Sequence, residues 1–248
     1  MVSGCLQADT SAKEEEQQWL AQRIEEGLLT DDNRLLWEMI LPSRLKRMYD
    51  VLSERTRYIT ILTEAVDDPH NQAAVLRSAE AFGIQDVHVV TGAAPFEPNK
   101  WVTRHADKWL TVHKHSSIER AIRHLQQNGY QVYASYLGEG TIPLEQIDVA
   151  KPTVLLFGNE HRGVSEEALA LADGKFVIPM NGFVQSFNIS VAAAISLYDV
   201  TKRAKQVAGE RYHLSLAEKK EIYEHWMKLS LSPRLRKMVE SQMGGRND

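Results

Sequence analysis

The sequence predicts an α/β fold, a sheet flanked by helices with helical additions at both ends. Three observations carry that expectation. Short apolar, β-branched runs alternate with helix-periodic stretches from Tyr58 onward. Glycines stand where several of those stretches should stop, as at Gly27, Gly83 and Gly129. The 248 residues, 43% hydrophobic and 25% charged, have an ordinary globular composition and enough chain to bury a sizeable core.

The first dozen residues are polar and read as unstructured. From Lys13 a helix is expected, with Trp19, Leu20, Ile24 and Leu28 at near-helical spacing. Thr30 reads as the N-cap of a second helix that Pro42 ends, and Ser43 as the cap of a third, Arg44 to Arg55. That third helix carries Arg44, Lys46, Arg47 and Arg55, with Leu45, Met48, Val51 and Leu52 as its apolar stripe. Strands are expected at Tyr58–Thr63, Val87–Val90, Leu110–Val112 (weak), Gln131–Leu137, Lys151–Phe157 and Lys175–Pro179. Between them fall helices at 71–82, after a capping box at Ser116 and Glu119, and at 166–172 behind Ser165. Ser215 with Glu218, and Pro233 after Ser232, start two C-terminal helices.

Charge is unevenly spread. The formal net charge is -4, but residues 1–40 hold three basic against nine acidic side chains. Residues 42–57 hold five basic against two acidic, and residues 202–248 eleven against six. Both flanks of the central sheet are therefore basic, which suits a polyanion, although a charge run also serves as a solvated helix face. The organisation expected is an acidic helical extension (1–40), a basic helix (41–57), a central domain (58–206) and a C-terminal helical extension (207–248).

Several chemistries lack their residues. There is no GxxxxGK[ST], no GxGxxG after the first strand, no HExxH and no GxS hydrolase elbow. Cys5 is the sole cysteine, so no internal disulfide or cysteine-based metal site is possible, and a reducing, cytoplasmic setting is expected. His113 and His115 read as alternating along a strand end, and no metal site is expected. No 18-residue apolar span or signal peptide is evident, so neither export nor a membrane span is expected.

The central feature is Ile178–Tyr198, IPMNGFVQSFNISVAAAISLY. A strand end, a loop with Ser186 and Asn188, and an Ala-rich helix follow one another, and the scarcity of charge implies burial of that helix on most sides. Such a strand-to-helix junction is where α/β proteins bind ligands. In Asp67–Gly83, Asn71 and Arg77 lie about 120° apart around a helix and between one and two turns along it, able to frame one cleft. Taken alone, they better suit an N-cap and an exposed charge. GNEHRG, from Gly158 to Gly163, is a Gly-rich loop after a strand that matches no phosphate fingerprint.

Three motifs in order, PHNQAAVLRSAEAFG from Pro69, LLFGNEHRGVSEEAL from Leu155 and IPMNGFVQSFNISVAAAISLY from Ile178, make the chain resemble the SpoU/TrmH group of SPOUT RNA 2'-O-methyltransferases. The flanks look like its tRNA guanosine members, over about Ser43 to Lys228. The resemblance implies a mostly parallel sheet with a C-terminal trefoil knot, an exception to the usual rule. It implies a homodimer that completes the active site, S-adenosylmethionine as methyl donor, and tRNA as partner, methylated on a ribose 2'-hydroxyl, most simply of a D-loop guanosine. By motif, Ser135, Leu137, Gly158, Gly163, Ile178, Met180 and Phe187 would contact the cofactor. Asn71, Arg77, Glu160, Ser186 and Asn188 would form the catalytic set, and Arg44, Lys46, Arg47 and Arg55 would bind RNA. Phe187 stands where the family commonly has leucine, a change that alters packing around the cofactor. Arg77 is expected to stabilise the developing alkoxide rather than act as a base, since a guanidinium holds its proton above about pH 12. Asn71 and Ser186 are expected to orient it. Ribosomal RNA as substrate, a catalytically idle RNA-binding protein on the same fold, and an unrelated nucleotide-binding protein are the alternatives.

Overall fold

Strand residues that alternate between two apolar faces build a seven-stranded sheet in the computed structural model, which describes residues 3–244. In chain order the elements are α1 (Ser3–Glu25), α2 (Arg34–Trp37), α3 (Pro42–Ser53), β1 (Ile59–Glu64), α4 (Pro69–Ala81), β2 (Asp86–Val90), α5 (Lys100–Thr103) and β3 (Thr111–His115). There follow α6 (Ile118–Gln127), β4 (Gln131–Ser135), β5 (Ile142–Pro143), β6 (Thr153–Phe157), α7 (Glu166–Leu171), β7 (Gly174–Val177), α8 (Ile189–Ala208), α9 (Leu216–Ser230) and α10 (Pro233–Gly244). The chain divides into two compact units, one made of residues up to 54 with those from 214 onward, the other of Arg55–His213.

The second unit is a three-layer sandwich. Its strands are all parallel, in the order β3-β2-β1-β6-β4-β7-β5, with Ile61 level with Val87 on one side and with Leu155 on the other. Along β6, Leu155 and Phe157 pack toward α4 and α8, while Val154 and Leu156 pack toward α6 and α7. This alternation is what a parallel sheet covered on both faces requires. The strand order reverses around β1 and β6, so the loops leaving the carboxyl ends of β1, β4, β6 and β7 converge on one edge. β5 escapes a sequence reading because two residues, one of them proline, show no period. β3 is longer than expected because pairing with β2 carries it through His113 and His115.

In the first unit, Leu45, Met48 and Leu52 of α3 are buried and α3 packs against α9, where the Tyr223 hydroxyl donates to the Leu45 carbonyl at 2.8 Å. Burial pushes the Tyr223 phenol up, which keeps it a neutral donor. Three N-terminal expectations need correction. α1 takes in most of the stretch that its polarity marks as unstructured, a stretch without proline in which Leu6, Gln7, Ala8 and Ala12 favour helix. Thr30 is not a cap: its N–H donates to Asn33 Oδ1, and the short α2 starts behind Asn33. Ser43 is not a cap either, because Pro42 occupies the first turn of α3 with Leu41 before it. Downstream, Ser117 rather than Ser116 caps α6, accepting from the Arg120 N–H, whereas Ser215 and Glu218 form the expected capping box. Residues 1–2 of the N-terminal stretch and 245–248 of the C-terminal extension lie outside the described residues. No helix among the described residues is long and apolar enough to cross a membrane.

Candidate active site

The convergent loops enclose a cleft of about 520 Å³, within the range of small-molecule sites. Its walls come from the segments 135–137, 157–164 and 177–192. Ser135, Leu137, Gly158, Gly163, Ile178, Met180 and Phe187 all line it, as do Glu160, Ser186 and Asn188. Phe157, Val177, Ile189 and Ala192 supply apolar floor.

The loop after β6 is closed on itself. Asn159 and Gly163 exchange backbone hydrogen bonds of 3.0 and 2.8 Å, and a Cβ on Gly158 would lie 2.2 Å from Gly163 backbone, so only glycine fits there. Gly163 itself takes φ +70°, a left-handed turn. The Asn159 side chain fills the turn, accepting from the His161 and Arg162 N–H groups and donating to the Ala65 carbonyl at 2.7 Å. At the far end of the loop, Glu64 accepts from the Ser165 N–H (2.9 Å) and hydroxyl (2.6 Å). The end of β1 thus anchors the loop twice and holds Glu160 at its tip.

Asn71 joins this loop to the next. Asp68 caps α4 by accepting from the His70 N–H, and Pro69 occupies the first turn, which leaves the Asn71 side chain unused by the helix end. Its Nδ2 donates to Glu160 Oε1 at 2.9 Å, and its Oδ1 accepts from Asn188 Nδ2 at 3.1 Å. Asn188 Oδ1 in turn caps α8, accepting from the Ser190 N–H at 2.9 Å. Glu160, Asn71 and Asn188 therefore form one chain of hydrogen bonds linking the β6 loop, α4 and the start of α8.

Arg77 stands apart. It is exposed on α4, does not line the cleft and has no bond or ion pair to Asn71 or Ser186. Within one chain Asn71 does not orient it: the Asn71 amide binds Glu160 and Asn188 instead. The Ala-rich part of α8 is buried or half-buried on most sides, as expected, with Val191 and Tyr198 exposed. Arg55 is not an RNA ligand on the basic helix. α3 ends at Ser53, and Arg55 turns inward, 0% exposed, donating to the Ile84 carbonyl at 2.8 Å and pairing with Glu80 at 2.8 Å. Arg44, Lys46 and Arg47 do remain on the free face of α3. Sequence reasoning missed Glu64 and Asn159; the one available signal was a carboxylate at the end of β1. No group of three or more His, Cys, Asp or Glu among the described residues is placed to hold a metal ion.

The sequence pattern of the SpoU rRNA Methylase family matches residues 58–198. The chain belongs to that family. A tRNA (guanosine(18)-2'-O)-methyltransferase of Escherichia coli K12 is 38% identical over 168 residues, covering 68% of this chain and 73% of the relative. The solved TrmH/SpoU tRNA modifying enzyme of Aquifex aeolicus superposes with a TM-score of 0.69 at 32% identity, over 77% of this chain and 98% of that one. An AdoMet-bound rRNA methyltransferase from Sinorhizobium meliloti gives 0.53 at 28% identity, over 61% and 58%. Within the SpoU family pattern lie the whole cleft lining and the Glu160–Asn71–Asn188 chain.

Proposed function

We propose that this SpoU family protein transfers the methyl group of S-adenosylmethionine to a ribose 2'-hydroxyl of tRNA, most simply that of a D-loop guanosine. The observation that carries the reading is the cleft itself: three glycine- and amide-rich loops at a strand-order reversal, braced by Glu160, Asn71 and Asn188. The residues fit the cofactor, with apolar walls at Leu137, Ile178 and Phe187 for an adenine and a loop at Gly158 too tight for any Cβ. When bound, the cofactor supplies a sulfonium methyl group open to attack by a nucleophile.

The chain's own task is to bring an unreactive hydroxyl into line and to ease loss of its proton. Ser186 and Asn188 on the cleft rim would meet the RNA backbone, and Asn71 would hold Asn188 and Glu160 in place. Arg77 would stabilise charge developing on the 2'-oxygen and clamp a phosphate, while water or a phosphate oxygen takes the proton. Because Arg77 is exposed and does not line the cleft of its own chain, a second subunit's site is the natural place for it to act. Exposed Phe183, Val184, Val191 and Tyr198 supply an apolar surface for such a homodimer. A trefoil knot in the C-terminal part belongs to the same proposal; family membership and the insertion of β6 between β1 and β4 support it. Arg44, Lys46 and Arg47 would add salt-sensitive RNA affinity, and a cytoplasmic location suits the substrate.

Steady-state methylation by Arg77→Ala and Arg77→Lys tests the assignment. Turnover is expected to fall about a hundredfold or more in both, with the cofactor dissociation constant unchanged. Near-normal turnover of Arg77→Lys at saturating RNA would remove the bidentate role.

A further inference from the structure

Segment 92–108 carries an unusual combination of features outside the cleft lining. Trp101, on the short α5, is 91% exposed. Lys100, Arg104 and His105 beside it are exposed too, and neither Lys100 nor Arg104 makes an ion pair among the described residues. Arg104 (φ 47°) and His105 (φ 66°) both adopt the left-handed conformation, which non-glycine residues rarely take singly and still more rarely in succession. Thr103 and Ala106, buried on either side, hold that strained turn in place. The segment is also tied to the catalytic helix. The Asn99 N–H donates to the Pro69 carbonyl at 3.1 Å, the Glu97 N–H to Gln72 Oε1 at 3.0 Å, and Gln72 Nε2 to the Pro95 carbonyl at 3.3 Å. Pro69 and Gln72 flank Asn71, so the platform is braced on the first turn of the helix that carries the bridging amide.

We infer that Trp101 is a stacking platform for an unpaired base of the substrate RNA near the acceptor nucleotide, with Lys100, Arg104 and His105 gripping the adjoining phosphates. The inference rests on the RNA methylation proposed above and deepens it by naming a specificity residue. An exposed indole amid cations matches a splayed-out nucleotide, which offers a flat π-face and a negative charge side by side. Counting the chain from Trp101 through the Asn99–Pro69 bond to Asn71 gives a separation of at most roughly 20 Å, about three nucleotide steps. The stacked base therefore belongs to the same loop of RNA as the methylated ribose.

Equilibrium binding of tRNA and steady-state methylation are to be compared for wild-type protein, Trp101→Ala and Trp101→Phe. Trp101→Ala is expected to weaken tRNA binding and raise the KM for tRNA about tenfold, with kcat, cofactor affinity, thermal midpoint and sedimentation unchanged. Trp101→Phe is expected to recover most of the loss. Unchanged RNA affinity in Trp101→Ala would overturn the inference, and so would a change of oligomeric state, which would make Trp101 a subunit contact. RNA binding that depends on Trp101 without any methyl transfer would instead sink the proposed activity and leave the platform standing. Absence of RNA binding in the wild type would end both.

Discussion

Replacing Asn71 by alanine and by aspartate separates bracing from mere packing. In the native site its Nδ2 donates to the Glu160 carboxylate at 2.9 Å and its Oδ1 accepts from Asn188 at 3.1 Å. Alanine deletes both bonds. A hydrogen bond to a charged group contributes about 1.5–3 kcal/mol and a neutral one about 1, and partial solvent access brings the expected loss to roughly 2 kcal/mol. Because Glu160 and Asn188 stand on two walls of the cleft, cofactor affinity should fall roughly tenfold or more. Aspartate keeps the acceptor for Asn188 but sets a second carboxylate against Glu160. Two unit charges at that distance repel by about 6 kcal/mol at an effective dielectric of 20, reduced to roughly 2–3 because Glu160 is partly exposed. Like charges so close favour a proton shared between the two carboxylates, so acid relieves the repulsion. Asn71→Asp should therefore bind S-adenosylmethionine about tenfold more weakly than Asn71→Ala at pH 7.5 and as well or better at pH 5.5, where the protonated acid again donates to Glu160. Calorimetric titration across pH 5–8 reads this directly. Equal affinities for the two variants at pH 7.5, or no recovery in acid, would refute the reasoning.

Three further outcomes follow from the geometry. Arg44→Ala with Arg47→Ala should weaken tRNA binding and lower the log–log salt slope by about 2, leaving cofactor binding intact; an unchanged slope would contradict the placement of that face on RNA. Arg55→Ala should cost about 2–4 kcal/mol in chemical unfolding, because it removes a fully buried side chain and its pairing with the part-exposed Glu80, with little direct effect on RNA affinity of the folded protein. Acid should weaken the fold through His88. It is 5% exposed, its Nδ1 lies 2.9 Å from His115 Nε2, and burial, reinforced by the neighbouring histidines His113 and His115, lowers its pKa to about 3. Between about pH 6.5 and 3 the unfolded chain binds this proton and the native one does not. Stability should thus decline as pH falls below 6.5, at up to about 1.4 kcal/mol per unit, and a variant His88→Gln should show a flatter decline in pH-dependent unfolding.

The sheet was legible because its strands are apolar on both faces and bounded by turn residues, a pattern that depends only on neighbours in sequence. Helix ends were less so. Ser43 and Thr30 have capping side chains, yet Pro42 and Asn33 decide the geometry. Arg55 misled for the same reason: extending α3 by two residues put on a basic face a side chain that the chain's turn into β1 buries. Asn71 reads as a cap until Asp68 is seen to hold that place. Asn159 and Glu64 were invisible to local reasoning, since their partners lie 94 and 101 residues away and only the sheet order brings them together. The cleft lining was legible through motif resemblance, whereas the outward setting of Arg77 depends on how α4 packs against α8.

The central claim is methyl transfer to a tRNA ribose, and incubation of the full chain with labelled S-adenosylmethionine and either unmodified tRNA or ribosomal RNA, followed by nucleoside analysis, tests it most directly. The account predicts labelled 2'-O-methylguanosine from tRNA, reduced about a hundredfold or more with Arg77→Ala. Label confined to ribosomal RNA, or none in either despite measurable RNA binding, would contradict it.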